Sequence, residues 1–286
     1  MNSKKIRLIL AGTGSFSAKI FESLINNKDF EIVALISQPN LALDRNKKPI
    51  ETEVSKLAKK HKILLFQPLK IREIFDELST LDFDYFITAS YGQFIPTSII
   101  NLPKKAALNV HGSLLEKYRG AAPVQYTLLN GDTESGITLI YMIKEMDAGD
   151  MLAKAKILIE ENDTAIEVFD KLADIAILNL PIWLNAHFLG KLEGEKQDES
   201  KVTFAPKIPN EMPQIFETNT TEEALRKIKA FNNQPGAFII KNNKRLKIFR
   251  ATKNKVKVPL TLDFSDGKLY LIEYQFEGKK IVKYDI

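Results

Sequence analysis

The chain reads as an α/β protein, with a mostly parallel sheet whose strands alternate with helices and then a smaller, mostly β domain. Three observations predict this. Ile6 and Leu8 to Ala11 form an apolar run that enters the turn Gly12-Thr13-Gly14, after which come a helical pattern from Phe16 to Ile25 and a second run from Glu31 to Ile36. Strand, tight turn, helix and strand in that order open a parallel sheet. Helical and strand patterns go on alternating to about residue 189, as crossover connections require. Beyond Pro209 the pattern changes to short apolar runs separated by turn residues.

In chain order, Glu51 to Lys60 is predicted as a helix, Ile63 to Phe66 as a short strand, Ile71 to Leu78 as a helix and Tyr85 to Ala89 as a buried strand. A strand at Ala107 to Val110, a helix around Val124 to Leu129 and strands at Ile137 to Met142 and Met151 to Ile157 follow. A helix runs from Thr164 to about Leu189, with Pro181 a point at which it can kink. Lys191 to Pro209 is polar and lacks periodicity, which marks a linker. The domains are placed at 1–190 and 207–286, with 191–206 between them. The second holds a helix from Thr221 to Phe231 and strands at Ala237 to Ile240, Leu246 to Ala251, Val256 to Leu262 and Leu269 to Phe276.

Composition bounds the function. With 286 residues, 44% hydrophobic and 27% charged, the chain suits a folded, soluble protein with one large core or a main domain plus a smaller one. It has no cysteine, which excludes disulfides, zinc–thiolate sites and a cysteine nucleophile and makes the cytoplasm the expected compartment. No stretch approaches the roughly 18 apolar residues of a membrane span, so no membrane partner is expected, and a monomer is. The net charge of +5 is uneven. From Lys207 onward there are 16 Lys and Arg against 9 Asp and Glu, whereas the preceding 206 residues carry 25 against 27. Lys241 to Val258 holds eight basic residues and no acid, interleaved with Leu246, Ile248, Phe249 and Val256. Such a stretch suits a polyanion, and equally suits a strand pair whose lysines protect an edge from aggregation.

The first glycine turn is a weak dinucleotide fingerprint. Ser17 stands where a third glycine belongs, and the second strand ends at Ser37-Gln38-Pro39 without the acid that would grip a ribose. A tight strand-to-helix turn explains it better, although Gly12 and Ser15 remain placed to meet a phosphate or ribose. The three histidines, His61, His111 and His187, lack ligand-like spacing, so no metal site is expected. His61 and His187 fall on helices and read as solvated. His111 ends an apolar strand before Gly112-Ser113, where open α/β sheets place reactive groups, and Asn109 projects from the same face. A structural Asn-His pair satisfying a buried turn is the competing reading. Asp147, in Met146-Asp147-Ala148-Gly149-Asp150, either caps a turn or orients His111, since an imidazole that exchanges protons is usually held by a carboxylate.

The segments NVHGSLLEKYRGAAPVQ and DAGDM resemble the pattern NVHGSLLPxxRGAAPIQ followed by DxGDM of the methionyl-tRNA formyltransferase family. The resemblance extends to the opening AGT turn, to QPN followed by Arg45, Lys47 and Lys48, to Tyr91-Gly92 and Pro96, and to Ala230-Phe231-Asn232. It implies a Rossmann-like catalytic domain followed by a smaller OB-like β-barrel that touches tRNA. It also implies a reaction: the methionyl α-amine of initiator Met-tRNA attacks the formyl carbon of 10-formyltetrahydrofolate through a tetrahedral oxyanion. Such an amine, with a pKa of about 7.7 to 8.0, needs little activation. Carried over by position, Asn109 and His111 donate to the oxyanion, and Asp147 orients His111 and helps relay the proton. The folate is implied along Ser90, Tyr91, Gly92, Gln93, Phe94, Ile95 and Pro96 and along Met142 to Asp147, with Met142 and Ile143 foremost, largely through backbone, and further at Ser113, Leu114 and Leu115 and at Asp150. The tRNA is implied at Arg45, Lys47, Lys48, Arg119, Lys244, Arg245 and Lys247. Glu116 departs from the pattern by replacing its proline, a change expected to loosen the loop and place an acid where it can repel phosphate. Formyltransferases acting on glycinamide ribonucleotide or amino sugar nucleotides share the Asn-x-His and Asp elements and are the rival enzymes. A non-catalytic RNA-binding protein is the rival from another class.

Overall fold

Strand β1 (Ile6–Gly12), helix α1 (Ser15–Ile25) and strand β2 (Phe30–Ile36) form the expected opening in the computed structural model, which describes residues 5–44, 46–241 and 243–285. The chain continues through α2 (Glu53–His61), β3 (Leu65–Phe66), α3 (Phe75–Ser79), β4 (Tyr85–Ala89), α4 (Thr97–Ile100), β5 (Ala106–His111), α5 (Pro123–Asn130), β6 (Glu134–Tyr141), β7 (Met151–Leu158) and α6 (Ala165–Phe188). One seven-stranded sheet results, in the order β3-β2-β1-β4-β5-β6-β7. β2, β1, β4 and β5 run parallel and β6 runs antiparallel to β5. The central strands are mostly apolar, as expected of a parallel sheet covered on both faces, and all five residues of β4 are buried. β7, at one edge of the sheet, alternates half-buried and exposed positions over Ala153 to Leu158, the pattern of a strand with one open face.

Helix ends follow local chemistry. Thr52 accepts from the Ser55 amide at the start of α2, and Lys62 closes that helix in the left-handed region. The helix expected over Ile71 to Leu78 is a 3₁₀ turn at Ile71–Ile74 that passes into α3. Ile71 and Ile74 are both buried, and a three-residue repeat brings such a pair to one side in a 3₁₀ turn.

Residues up to Gly120, Gly136–Ile157 and Asp170–Phe204 form one compact unit; Ala121–Ser135, Leu158–Phe169 and the chain from Ala205 form the other. The polar segment after residue 190 is not a loose tether. Glu195 pairs with Met151 and Phe204 with Arg119, so these residues belong to the first unit. The second unit carries α7 (Thr221–Ala230), opened by a capping box between Thr220 and Glu223. Its strands are β8 (Ala237–Lys241), β9 (Lys244–Thr252), β10 (Thr261–Phe264), β11 (Gly267–Phe276) and β12 (Val282–Lys283). They form a wholly antiparallel sheet in the order β10-β11-β9-β8, with β12 on β11. Among the described residues it is a half-barrel rather than a closed ring. The strand expected over Val256 to Leu262 begins only at Thr261, since Pro259 interrupts the run and has no amide to give a ladder.

His187 corrects the sequence reading. It is not a solvated helix residue: Nδ1 lies 2.7 Å from the Tyr85 hydroxyl and Nε2 lies 2.7 Å from that of Tyr141. One ring nitrogen therefore donates and the other accepts. Burial, and to a smaller extent the charge of Lys105, hold its pKa below the ordinary histidine value. In the unfolded chain the imidazole takes up a proton near pH 6.5; in the folded chain it does so only at lower pH. Between those values the unfolded state binds more protons, so stability falls as pH falls from about 6.5 toward the lowered folded value. The urea midpoint of the wild type is expected to drop more between pH 7.5 and 5.0 than that of His187→Gln, and equal drops would refute the assignment.

Candidate active site

The carboxyl ends of β1, β4 and β5 lie side by side, with Gly12 opposite Ala89 and Thr88 opposite Asn109. Open parallel sheets bind ligands at such an edge. Packing explains the first glycine: a Cβ on Gly12 would lie 2.4 Å from the Ser17 Cβ and 2.8 Å from the Ala89 carbonyl oxygen. Ser17 Oγ donates to that carbonyl at 2.5 Å and accepts from the Thr13 amide at 3.2 Å, fastening the turn to β4. Ser17 therefore has a structural use in the place of a third glycine.

Asn109 and His111, two residues apart on β5, meet one carboxylate. Asn109 Nδ2 donates to Asp147 Oδ1 at 3.1 Å, and His111 Nδ1 lies 3.5 Å from Asp147 Oδ2. The Gly120 amide donates to Oδ2 as well, at 2.9 Å. Asp147 adopts a left-handed backbone (φ 55°), one that Asp tolerates better than most residues. Thr88 fixes the orientation of the Asn109 amide by donating to its Oδ1 at 2.7 Å. This leaves the second Nδ2 proton of Asn109 without a partner among the described residues.

His111 is buried, and its Nε2 lies 2.9 Å from the Tyr118 carbonyl oxygen. A carbonyl only accepts, so Nε2 carries a proton and Nδ1 is the nitrogen that can exchange one. Of the two side chains expected as oxyanion donors, His111 has its Nε2–H committed to Tyr118, so the donor role expected of it does not fit this geometry, and the free amide proton belongs to Asn109. Together the side chains can steady a developing negative charge and take up a proton.

The expected folate segments differ in how they face. Phe94, Ile143 and Met146 are 63%, 44% and 61% exposed. Ser90 and Gly92 take left-handed conformations in the turn after β4, and Pro96 leads into α4. Met142 Sδ approaches Thr88 Oγ1 at 3.7 Å. Tyr91 and Ile95 instead point into the core. The Tyr91 carbonyl accepts from Thr13 Oγ1 and Gln38 Nε2, and Gln93 accepts from the Ile71 amide. Ser113 is buried with its hydroxyl donating to the Lys117 carbonyl, Leu115 packs with Ile140 and Met151, and Leu114 lies against Gly136. These side chains shape the loops from beneath rather than offering contacts. The Asp150 carbonyl accepts from the Tyr141 amide and so holds the far end of the Asp147 loop to β6.

Among the expected tRNA residues, Lys47 and Lys48 are exposed on a loop closed by Asp44, whose Oδ1 accepts from the amides of Asn46 and Lys48. Arg45 lies outside the described residues. Arg119 is misplaced for a phosphate contact. It is buried, with Nε donating to Gln197 Oε1 at 2.9 Å and Nη2 to Glu199 at 2.7 Å. Lys244, Arg245 and Lys247 open β9. Arg245 lies 4.0 Å from the centre of the Phe238 ring and Lys247 donates to the Pro235 carbonyl. Arg245 and Lys247 also line a cavity of about 510 Å³ with Ile240, Gln275, Phe276 and Glu277. Nor does Glu116 stand open to repel a phosphate: its Oε1 accepts the Asp198 amide at 2.6 Å.

Residues 4–181 match the family model of formyl transferases and residues 207–285 that of the formyl transferase C-terminal domain. The methionyl-tRNA formyltransferase of Mycoplasmopsis pulmonis is 48% identical over 280 residues, which is 97% of this chain and 96% of that one. The chain belongs to the methionyl-tRNA formyltransferase family. Another member, from Streptococcus pyogenes, is 38% identical over 96% of this chain and 92% of its own. The solved methionyl-tRNA formyltransferase of Clostridium thermocellum shares the fold, with a TM-score of 0.68 at 16% identity over 95% of this chain and 98% of that one. So does a sugar 3N-formyltransferase, WlaRD, with a TM-score of 0.67 at 19% identity over 97% and 100%. In this methionyl-tRNA formyltransferase family chain, Thr88, Tyr118 and Gln197 are site residues that the sequence reading missed. Thr88 left one trace, as the hydroxyl that interrupts the buried run Tyr85 to Ala89. Tyr118 acts through its backbone, and Gln197 lies on an aperiodic segment, so neither left a readable signal.

Proposed function

We propose that this chain transfers the formyl group of 10-formyltetrahydrofolate to the α-amino group of methionyl initiator tRNA. The observation that carries the reading is the shared carboxylate, which holds Asn109 through Oδ1 and faces His111 through Oδ2. Formyl transfer to an amine needs a donor for the formyl oxygen as negative charge builds there, and an acceptor for the amine proton. The free Nδ2 proton of Asn109 suits the first need, and one such donor is commonly worth about 3 to 4 kcal/mol. His111 Nδ1 suits the second, and the proton taken there is the one the folate N10 needs as the formyl C–N10 bond breaks to leave tetrahydrofolate and the formylated amine. Once protonated, the ring donates from both nitrogens, with Tyr118 and Asp147 as its acceptors.

The folate supplies the activated formyl carbon. The exposed apolar side chains Phe94, Ile143 and Met146 fit a flat heteroaromatic ring that would cover them. The residues assigned to hold it are Ser90, Gly92, Phe94, Pro96, Met142 and Ile143, with the buried members of both loops keeping the backbone in place. For the tRNA, Lys47 and Lys48 offer exposed charge on one unit, and Lys244, Arg245 and Lys247 supply a basic strand on the other; charge of this kind recognises a phosphate backbone.

The test is labelled formyl transfer with methionyl-tRNA, glycinamide ribonucleotide and an amino sugar nucleotide offered side by side. Methionyl-tRNA is expected to be formylated at least a hundredfold faster than the others. A preference for either small acceptor would overturn the proposal.

A further inference from the structure

Residues 197 to 199 are tied, one after another, to the loops that build the active site. Gln197 is buried, and its Nε2 donates to the carbonyls of Asp147 at 2.7 Å and Gly149 at 2.8 Å, using both amide protons. Its Oε1 accepts from Arg119 Nε, and the Arg119 guanidinium is in turn anchored by Glu199 through both Nη atoms. The Asp198 amide donates to Glu116. The two carbonyls that Gln197 holds flank the left-handed turn from which the Asp147 carboxylate projects.

We infer that Gln197 is a positioning residue for Asp147. Its amide, aimed by the Arg119–Glu199 pair, keeps the 147–149 turn in the conformation in which one carboxylate meets both Asn109 and His111. Arg119 suits this duty for a geometric reason: a planar guanidinium serves Gln197 and Glu199 at once, which a lysine ammonium does not reproduce. Glu116, standing where the family pattern has proline, adds a second tie to the same short segment. The inference rests on the proposed formyl transfer only in assigning chemistry to Asp147.

The decisive variant is Gln197→Glu, which keeps the shape and the acceptor for Arg119 but replaces the two donated protons with a carboxylate oxygen facing carbonyls. Its kcat for formyl transfer is expected to fall about a hundredfold with KM for methionyl-tRNA within twofold, since a misplaced catalytic group costs rate rather than binding. Added to Asp147→Asn, the same change is expected to cost less than threefold, because the group it positions is already gone. Arg119→Lys is expected to lower kcat about tenfold, also with KM within twofold. A readout independent of activity is amide exchange at Gly120, whose N–H is held by Asp147. Exchange there should quicken at least tenfold in Gln197→Glu. Wild-type kcat, equal fold losses in both Asp147 backgrounds, a raised KM in place of a lowered kcat, or unchanged Gly120 exchange would each overturn the inference. If the wild type formylates none of the acceptors, the functional proposal fails, while Gly120 exchange still decides the positioning role.

Discussion

Asn109→Ala is expected to lower kcat/KM for formyl transfer by a hundred- to a thousandfold, while stability falls by only about 1 to 2 kcal/mol. The activity figure follows from the one amide proton at the end of β5 that has no partner among the described residues, and removing one preorganised donor of this kind usually costs that much. The stability figure follows from the two side-chain hydrogen bonds lost, to Thr88 and Asp147, at a half-buried position. Asn109→Asp should be slower still. It keeps the volume but removes both amide protons and sets a second carboxylate against Asp147, a juxtaposition of like charges. Initial-rate kinetics with methionyl-tRNA, paired with urea unfolding of the same preparations, separate the two effects. If Asn109→Ala kept a tenth or more of wild-type kcat/KM, Asn109 would not be the donor.

The parts of this site that were legible in the sequence are those that regular structure places. Asn109 and His111 were readable because period two on a strand puts both on one face, and because the end of a buried strand is where an α/β sheet does its chemistry. Asp147 was readable as the nearby carboxylate on a glycine-containing loop. The supporting residues were not readable, because their partners are distant in sequence and follow no repeat. Gln197 reaches back fifty residues to Asp147 from a segment whose polar composition says only that it is exposed or linking. Arg119 looked like a free cation, since a sequence shows its charge but not the Glu199 carboxylate that takes it up. His187 failed in the same way: neighbouring polar residues suggested solvent, whereas two tyrosine hydroxyls from β4 and β6 close around it. The fold was more legible than the site because apolar periodicity is a local property. It failed where a single residue overrode the pattern, as Pro259 does before β10, and where the period was three rather than 3.6, as at Ile71 and Ile74.

Gly149→Ala is expected to lower kcat about a hundredfold, the largest effect predicted for a residue that supplies no side chain. Its backbone carries no positive φ, so the requirement is spatial. An added Cβ would stand 2.0 Å from the Tyr141 carbonyl oxygen and 2.9 Å from the carbonyl carbon. Those are backbone atoms of β6, where Tyr141 lies in register with Leu108 of β5 and the next amide, that of Met142, donates to the Ala107 carbonyl, so they cannot turn aside as a flexible side chain would. The loop must give instead, by about an ångström or more. Gln197 holds Gly149 and Asp147 together through their carbonyls, so a shift at 149 is passed to the Asp147 carboxylate, and an ångström of misplacement costs roughly a hundredfold in rate. The sheet itself has no reason to fail, so the thermal midpoint should fall by only a few degrees. Amide exchange at Gly120 should quicken as it does in Gln197→Glu, because both changes release the same carboxylate. An alanine variant with full activity would show that the 147–150 loop can move away from β6 without disturbing Asp147, and the rigid coupling argued for this site would then be wrong.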